Sequence, residues 1–227
     1  ISLDGDNVTY TPNKDFLGDD SFTFKANDGT VDSEINTVFI KIFHSYKTIV
    51  SQKGETLTIQ DAGSTAFNSD ATIMAVGSYD GTNKNGSVNV YQFSDDSWTQ
   101  LGNVISKDGV SFAVGEISLS ADGTVLSVGA PTANNNTGYV QVYKFSNNSW
   151  TQLGNDIEGS SVSNWWGWTT SLSSDGNIVA SGAEAFDGFK GLARVFKFDG
   201  SDWVKIGDDI LGKTGDELGG MIKLSKN

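Results

Sequence analysis

A period of 52 to 53 residues, four strand-like runs within each period and no sustained helical pattern predict an all-β fold. The architecture expected is a partial β-propeller of four-stranded antiparallel blades. Five landmarks keep the period: Asp70, Asp122 and Asp175; Gly77, Gly129 and Gly182; Gly86, Gly138 and Gly191; Tyr91, Tyr143 and Phe196; and Trp98, Trp150 and Trp203. A fixed repeat near this length is the signature of a repeat architecture.

The middle copy shows the unit most clearly. Its strands read as Glu116–Ser120, Thr124–Gly129, Tyr139–Phe145 and Trp150 to Leu153, with a polar loop at Thr132–Thr137. Asp122-Gly123, like Asp175-Gly176 in the next copy, supplies the positive φ angles of a two-residue hairpin turn. The third strand carries Val140 and Val142 on one face and Tyr139, Tyr143 and Phe145 on the other. A sheet apolar on both faces must be covered on both. Without helices to do so, the covering layers have to be further copies, which is how blades stack around an axis. A β-sandwich is the alternative, and it would leave one face polar.

Three linked strings, SLSxDGxxxxxGA, GxVxVYxF and WxQLGxDIxG, resemble the FG-GAP type of repeat that builds integrin-like propellers. They are most similar to repeats in long secreted or surface proteins of aquatic bacteria. The resemblance implies the propeller fold and an exported, adhesive protein. Calcium-binding members of that family carry alternating acids around the first hairpin. This chain has one acid there, Asp122 or Asp175, flanked by Ser, Ala and Thr, so the resemblance carries no calcium cage over to it. Calcium stays open as a cofactor elsewhere; none is certain.

In chain order, residues 1–43 fall outside the repeat. They read as strands Asn7–Thr11, Ser21–Lys25 and Asn36–Phe43, with turns at Asn13-Lys14 and Asn27-Asp28-Gly29. Tyr10, Pro12, Phe16, Gly18, Asp20, Phe22 and Phe24 resemble the Y-P-F-G-D-F-F pattern of bacterial cadherin-like or Ig-like repeats. A full sandwich of that kind needs about seven strands, so only its C-terminal part is expected here. Asp4, Asp6, Asp19, Asp20, Asp28, Asp32 and Glu34 are acids that could hold calcium, but no fixed-interval ligand loop is present.

The propeller portion is expected over 44–227. His44 to Ser51 is the join, in which Tyr46 stands 52 residues before Trp98, as an outer strand would. Blades follow at 54–106, 107–159 and 160–212, and a fourth starts at 213–227, with 219–225 as its inner strand. In the first, Ala71 replaces the turn glycine, and a different turn is expected because alanine is penalised at positive φ. Propellers close with four to eight blades, so the chain reads as part of a longer protein, and its open edges invite association.

A net charge of −13 repels phosphate backbones and acidic membrane surfaces, which excludes nucleic acid as a partner. No apolar run reaches the length of a membrane span. Cysteine is absent, His44 is the one histidine and Arg194 the one arginine. That leaves no Ser-His-Asp arrangement, no histidine metal site and no arginine cluster. The paired acids Asp208-Asp209 and Asp216-Glu217 sit in connecting loops, where nothing shelters a general acid. No catalytic residue and no metal site is expected, and the chain reads as no enzyme. Asn7, Asn85, Asn135 and Asn147 begin Asn-x-Ser/Thr triplets, which arise by chance in a chain rich in asparagine.

Trp98, Trp150 and Trp203 repeat, so packing is their expected role. Trp165, Trp166 and Trp168 occur in one copy only and are the candidate ligand-binding residues, suited to sugar stacking or a protein anchor. Strand alternation would put Trp166 and Trp168 on one face and Trp165 on the other. The expected function is a non-catalytic exported or cell-surface adhesion module binding carbohydrate or a surface protein. Further domains of the same polypeptide, or other copies of the chain, are the other expected partners. A structural spacer or filament subunit and a fragment of a propeller enzyme remain as alternatives.

Overall fold

The computed structural model describes residues 1–4, 7–13, 16, 18–42, 55–80, 85–107 and 115–225. The chain divides into two compact units, Ile1–Ser51 and Gln52–Asn227. The expected outer strand at Tyr46 lies outside the described residues, as do Asp6, Lys14 and His44.

The first unit holds two antiparallel pairs. β1 (Ser2–Asp4) pairs with β2 (Asn7–Thr9), and β3 (Gly18–Phe24) pairs with β4 (Asn36–Ile42) along its whole length. Sequence reading missed β1, which is too short to show alternation. At the expected turn, the Asp28 carboxylate accepts the amides of Thr30 and Val31, and Gly29 takes a φ of 97°. Asp20 accepts the Tyr10 hydroxyl. Asp19 pairs with Lys41 at 3.3 Å and Asp32 with Lys25 at 3.6 Å.

The second unit is three four-stranded antiparallel sheets resembling propeller blades. The first contains β5 (Ala62–Phe67), β6 (Ile73–Asp80), β7 (Asn85–Ser94) and β8 (Ser97–Gln100), with β9 (Ile105–Lys107) pairing back onto β7. The second contains β10 (Ile117–Leu119), β11 (Val125–Ala130), β12 (Tyr139–Ser146) and β13 (Ser149–Gln152), with β14 (Ile157–Glu158) back on β12. The third contains β15 (Thr169–Leu172), β16 (Ile178–Ala183), β17 (Leu192–Phe198) and β18 (Trp203–Leu211). The outer strand thus resumes after its Leu-Gly interruption, where the sequence reading had ended it. Gly154, at a φ of 75°, makes the break.

Two details of the first hairpin correct the sequence reading. Asp122-Gly123 is not a two-residue turn: Gly123 alone has a positive φ (72°), and its amide donates to the Ser120 carbonyl at 3.0 Å, inside a four-residue loop. Ala71, for which another turn was expected, adopts the same conformation at a φ of 59° and bonds to the Asn68 carbonyl. The polar loop is a single helical turn, Ala133–Asn136, whose asparagines are left-handed, and Phe186–Phe189 repeats it.

The core lies between the sheets. Val88, Val90 and Ile105 of the first sheet pack against Leu126, Val128, Tyr139 and Trp150 of the second. Val140, Val142 and Ile157 of the second pack against Val179, Leu192 and Trp203 of the third. Inner strands meet side by side, β10 lying against both β5 and β15. The Ser118 hydroxyl accepts the Leu172 amide at 3.0 Å, and Ser171 accepts that of Leu224 at the same distance. Residues 222–224 therefore occupy the next inner-strand place, though no ladder forms there.

Candidate recognition site

The connector from the second sheet to the third carries the three unique tryptophans. The amides of Trp165 and Trp166 donate to the carbonyls of Asn136 and Thr137 at 3.0 and 3.2 Å. Trp168 then turns back to the Trp165 carbonyl at 3.1 Å, and Gly167 bonds across to Gly182. Trp165 is left-handed (φ 57°) and Gly167 has a φ of 89°, so this is a turn, and β15 starts only at Thr169. Alternation does not apply to a turn, and Trp168 shares its side with Trp165 where Trp166 was expected.

Trp166 is the ring that goes inside, at 1% exposure. Its indole N–H donates to the Ile157 carbonyl at 3.0 Å, the Phe196 ring meets it edge-on at 6.1 Å, and the Arg194 guanidinium lies 5.6 Å from its centre. Trp165 and Trp168 instead stack on each other, 5.7 Å apart and 26° from parallel. Phe189 stands edge-on to Trp165 at 6.3 Å. Trp168 is 36% exposed and Phe189 46%.

Phe189 was missed by sequence reasoning. It holds the place that Asn136 holds in the preceding copy, and that substitution of an aromatic for an asparagine in a polar loop was the signal available. Its φ is 63°. Bulky residues are rarely left-handed, and each such conformation costs roughly 1–3 kcal/mol. Two of the three rings, Trp165 and Phe189, carry that cost. They are held by the Asn136 carbonyl and by the Gly215 and Glu217 amides, which donate to Phe189. Beyond Phe189, burial and the neighbouring Glu217 raise the Glu184 carboxyl above its usual range, while Asp187 is paired with Lys190 at 2.6 Å.

The repeat residues are structural. The Asp122 carboxylate accepts the Ser120 and Thr124 hydroxyls and the Thr124 amide at 2.6–3.0 Å, and Asp175 accepts the Ser173 hydroxyl and the backbone and side-chain amides of Asn177 at 2.6–3.1 Å. Gly123 and Gly176 lie against Ile73 and Val125 of the preceding sheets. The indole N–H groups of Trp150 and Trp203 donate to the Leu101 and Leu153 carbonyls of the preceding sheets at 3.0 and 2.8 Å. Arg194 makes a two-pronged pair with Asp209, at 2.9 and 2.7 Å. A hydroxyl-lined hollow of ≈ 250 Å³ opens where the inner strands converge, but its Ser118 and Ser171 oxygens already accept strand amides. Among the described residues, no group of three or more His, Cys, Asp or Glu is placed to hold a metal ion.

Residues 1–41 match the family of bacterial Ig domains. That match is consistent with a surface-exposed or secreted protein. No curated protein matches the chain. Among solved structures, a Bacteroides uniformis protein described as a 6-phosphogluconolactonase is 16% identical, with a TM-score of 0.52 over 78% of this chain and 49% of its own. Chaetomium thermophilum Sqt1 is 18% identical, with a TM-score of 0.48 over 68% of this chain and 37% of its own. Kuenenia stuttgartiensis hydrazine synthase is 14% identical, with a TM-score of 0.45 over 66% and 37%. The chain thus spans less than half the length of these structures. The first likeness shows the fold alone, all-β with blade-like sheets, and the family match places an Ig-like segment before them.

Proposed function

We propose that this chain is a non-catalytic recognition module of an exported or cell-surface protein, built from FG-GAP-type repeats, and that it binds carbohydrate. The observation that supports this reading is the aromatic platform of Trp165, Trp168 and Phe189. Solvent-facing rings offer apolar faces to the C–H side of a sugar, and neighbouring hydroxyls remain free to stay hydrated. Packing does not explain the platform, because two of its members hold strained backbone and the third ring of the connector, Trp166, already fills the core. The bacterial Ig segment supports the exported setting.

The test is a screen of the intact chain against a glycan array, followed by titration calorimetry on any hit. Saturable binding that Trp168→Ala abolishes, while the melting temperature stays within about 2–4 °C, supports the reading. No glycan bound, or a hit bound equally by Trp168→Ala, overturns it.

A further inference from the structure

The aromatic platform is angular, and its angle bears on the shape of what it holds. Trp165 lies 26° from the plane of Trp168 and 81° from that of Phe189. No arrangement that satisfies both angles makes the two outer rings coplanar. Trp165 is the middle ring, with Trp168 stacked on it at 5.7 Å and Phe189 edge-on to it at 6.3 Å. The more exposed surfaces are therefore those of Trp168 and Phe189.

Both outer rings lean on Trp165, and swinging either into the plane of the other would forfeit a ring contact. They also come from different elements. Trp168 ends the connector into β15, and Phe189 closes the loop between β16 and β17. Rings held in this way select a ligand that already has the matching shape. A flat array of extended chains needs ring faces that share one plane, because successive units of a 1,4-linked β-glucan form a ribbon. A 1,3-linked β-glucan winds, so its successive units turn their faces. Such a chain can lay one unit on Trp168 and a later one on Phe189.

We infer that the ligand is a soluble, wound, neutral β-glucan, and that Phe189 sets the preference for a wound chain over a flat one. The inference rests on the carbohydrate reading above and narrows it. Glucose carries its hydroxyls equatorially, so both faces of its ring are C–H and either face suits an aromatic ring. An axial hydroxyl would spoil one of them. Neutrality follows from charge: at −13 the chain repels sulfated and uronate-bearing glycans. Trp168 supplies the first stacking surface whatever the shape of the chain. Phe189, set across it, rewards only a chain that turns.

The test is titration calorimetry of the intact chain with two hexasaccharides, the 1,3-linked and the 1,4-linked β-glucan. They share monomer and anomer and differ in shape. Co-sedimentation with microcrystalline cellulose adds the flat surface. Phe189→Asn is the variant: asparagine tolerates the φ of 63°, so the ring is removed without new strain, and the melting temperature should not fall. Wild type should bind the 1,3-linked chain about tenfold or more tightly than the 1,4-linked one, the weight of one aromatic contact. It should leave cellulose unbound, and Phe189→Asn should bring the 1,3-linked chain down to the level of the other. Equal binding of the two chains, adsorption to cellulose, or a preference that survives in Phe189→Asn would each overturn the inference. Binding of neither hexasaccharide overturns it too, and the carbohydrate reading falls with it only where the glycan array is blank as well.

Discussion

The Ala121 amide donates to the Ser174 carbonyl at 2.8 Å, and the two residues occupy the same position in successive sheets. One sheet earlier, the Ser69 amide donates to the Ala121 carbonyl at 3.0 Å. Equivalent residues thus bond head to tail around the axis, at the tip of the first hairpin. A relay of this kind works only if every hairpin has the same shape. It explains why Ala71 accepts the left-handed conformation that Gly123 and Gly176 adopt freely, and does not choose another turn.

Ala71→Gly should therefore stabilise the protein by about 1 kcal/mol, the penalty an L side chain pays at that φ. Gly176→Ala should do the reverse and more, since its Cβ would lie 2.7 Å from the Val125 side chain. There the strain adds to overpacking of about 1–3 kcal/mol. Urea midpoints of the two variants decide the matter, and the prediction fails if Ala71→Gly is neutral or destabilising.

Repeated glycines have a second cause. A Cβ on Gly129 would meet the Gly167 carbonyl oxygen at 1.9 Å, and one on Gly182 would meet that of Gly219 at 2.3 Å. Both obstacles are backbone of the next connector, which cannot give as a side chain can. Gly129→Ala should cost about 3 kcal/mol or more, as overpacking against a fixed neighbour. Gly63→Ala, with open space and ordinary φ, should change stability by less than about 0.5 kcal/mol. Thermal melts of the pair test the contrast.

These cases show what could be read from the chain alone. Period, strand order and the pairing of neighbouring sheets were legible because each rests on local pattern, as with Val140 and Val142 or Asp122-Gly123. The reason for Gly129 was not, because it lies 38 residues away in the connector at Gly167. The candidate site was half legible. Its unique tryptophans stood out, but the split between Trp166 inside and Trp165 and Trp168 outside follows from left-handed backbone at Trp165, which no propensity foretells. Phe189 joins them through hydrogen bonds from the Gly215 and Glu217 amides and the repeat of the loop at Asn136.

Acid should unfold the protein through its turn carboxylates. Burial pushes the Asp122 carboxyl up, but bonds from Ser120 and Thr124 outweigh it and leave it below the usual carboxylate range. Asp175 is held down chiefly by the Ser173 hydroxyl, and Asp209 by the Arg194 guanidinium and then Lys205. For a carboxylate whose folded pKa is depressed, the stabilisation is present above the unfolded value and is lost as pH falls through the folded one. The urea midpoint should accordingly be flat from about pH 7 to 5 and fall steeply below about pH 4. Asp209→Asn should lower the midpoint at neutral pH and make the acid limb shallower. An unchanged limb would assign the acid response to other groups.

The three repeat tryptophans should differ in weight, although the sequence treats them alike. Trp150 and Trp203 are 3% and 8% exposed and each donates to a carbonyl of the preceding sheet. Trp98 is half-buried and packs only within its own sheet among the described residues. Trp150→Ala removes a buried ring between two sheets, and such truncations cost about 3–5 kcal/mol. Trp150→Phe keeps most of the volume but strands the Leu101 carbonyl, at a cost of about 1–3 kcal/mol. Trp98→Ala loses neither an inter-sheet bond nor a sealed cavity, so it should fall well under half the cost of Trp150→Ala. Urea unfolding at protein concentrations low enough to hold one chain apart from another measures all three. Equal losses at Trp98 and Trp150 would mean that the first sheet is covered as fully as the second.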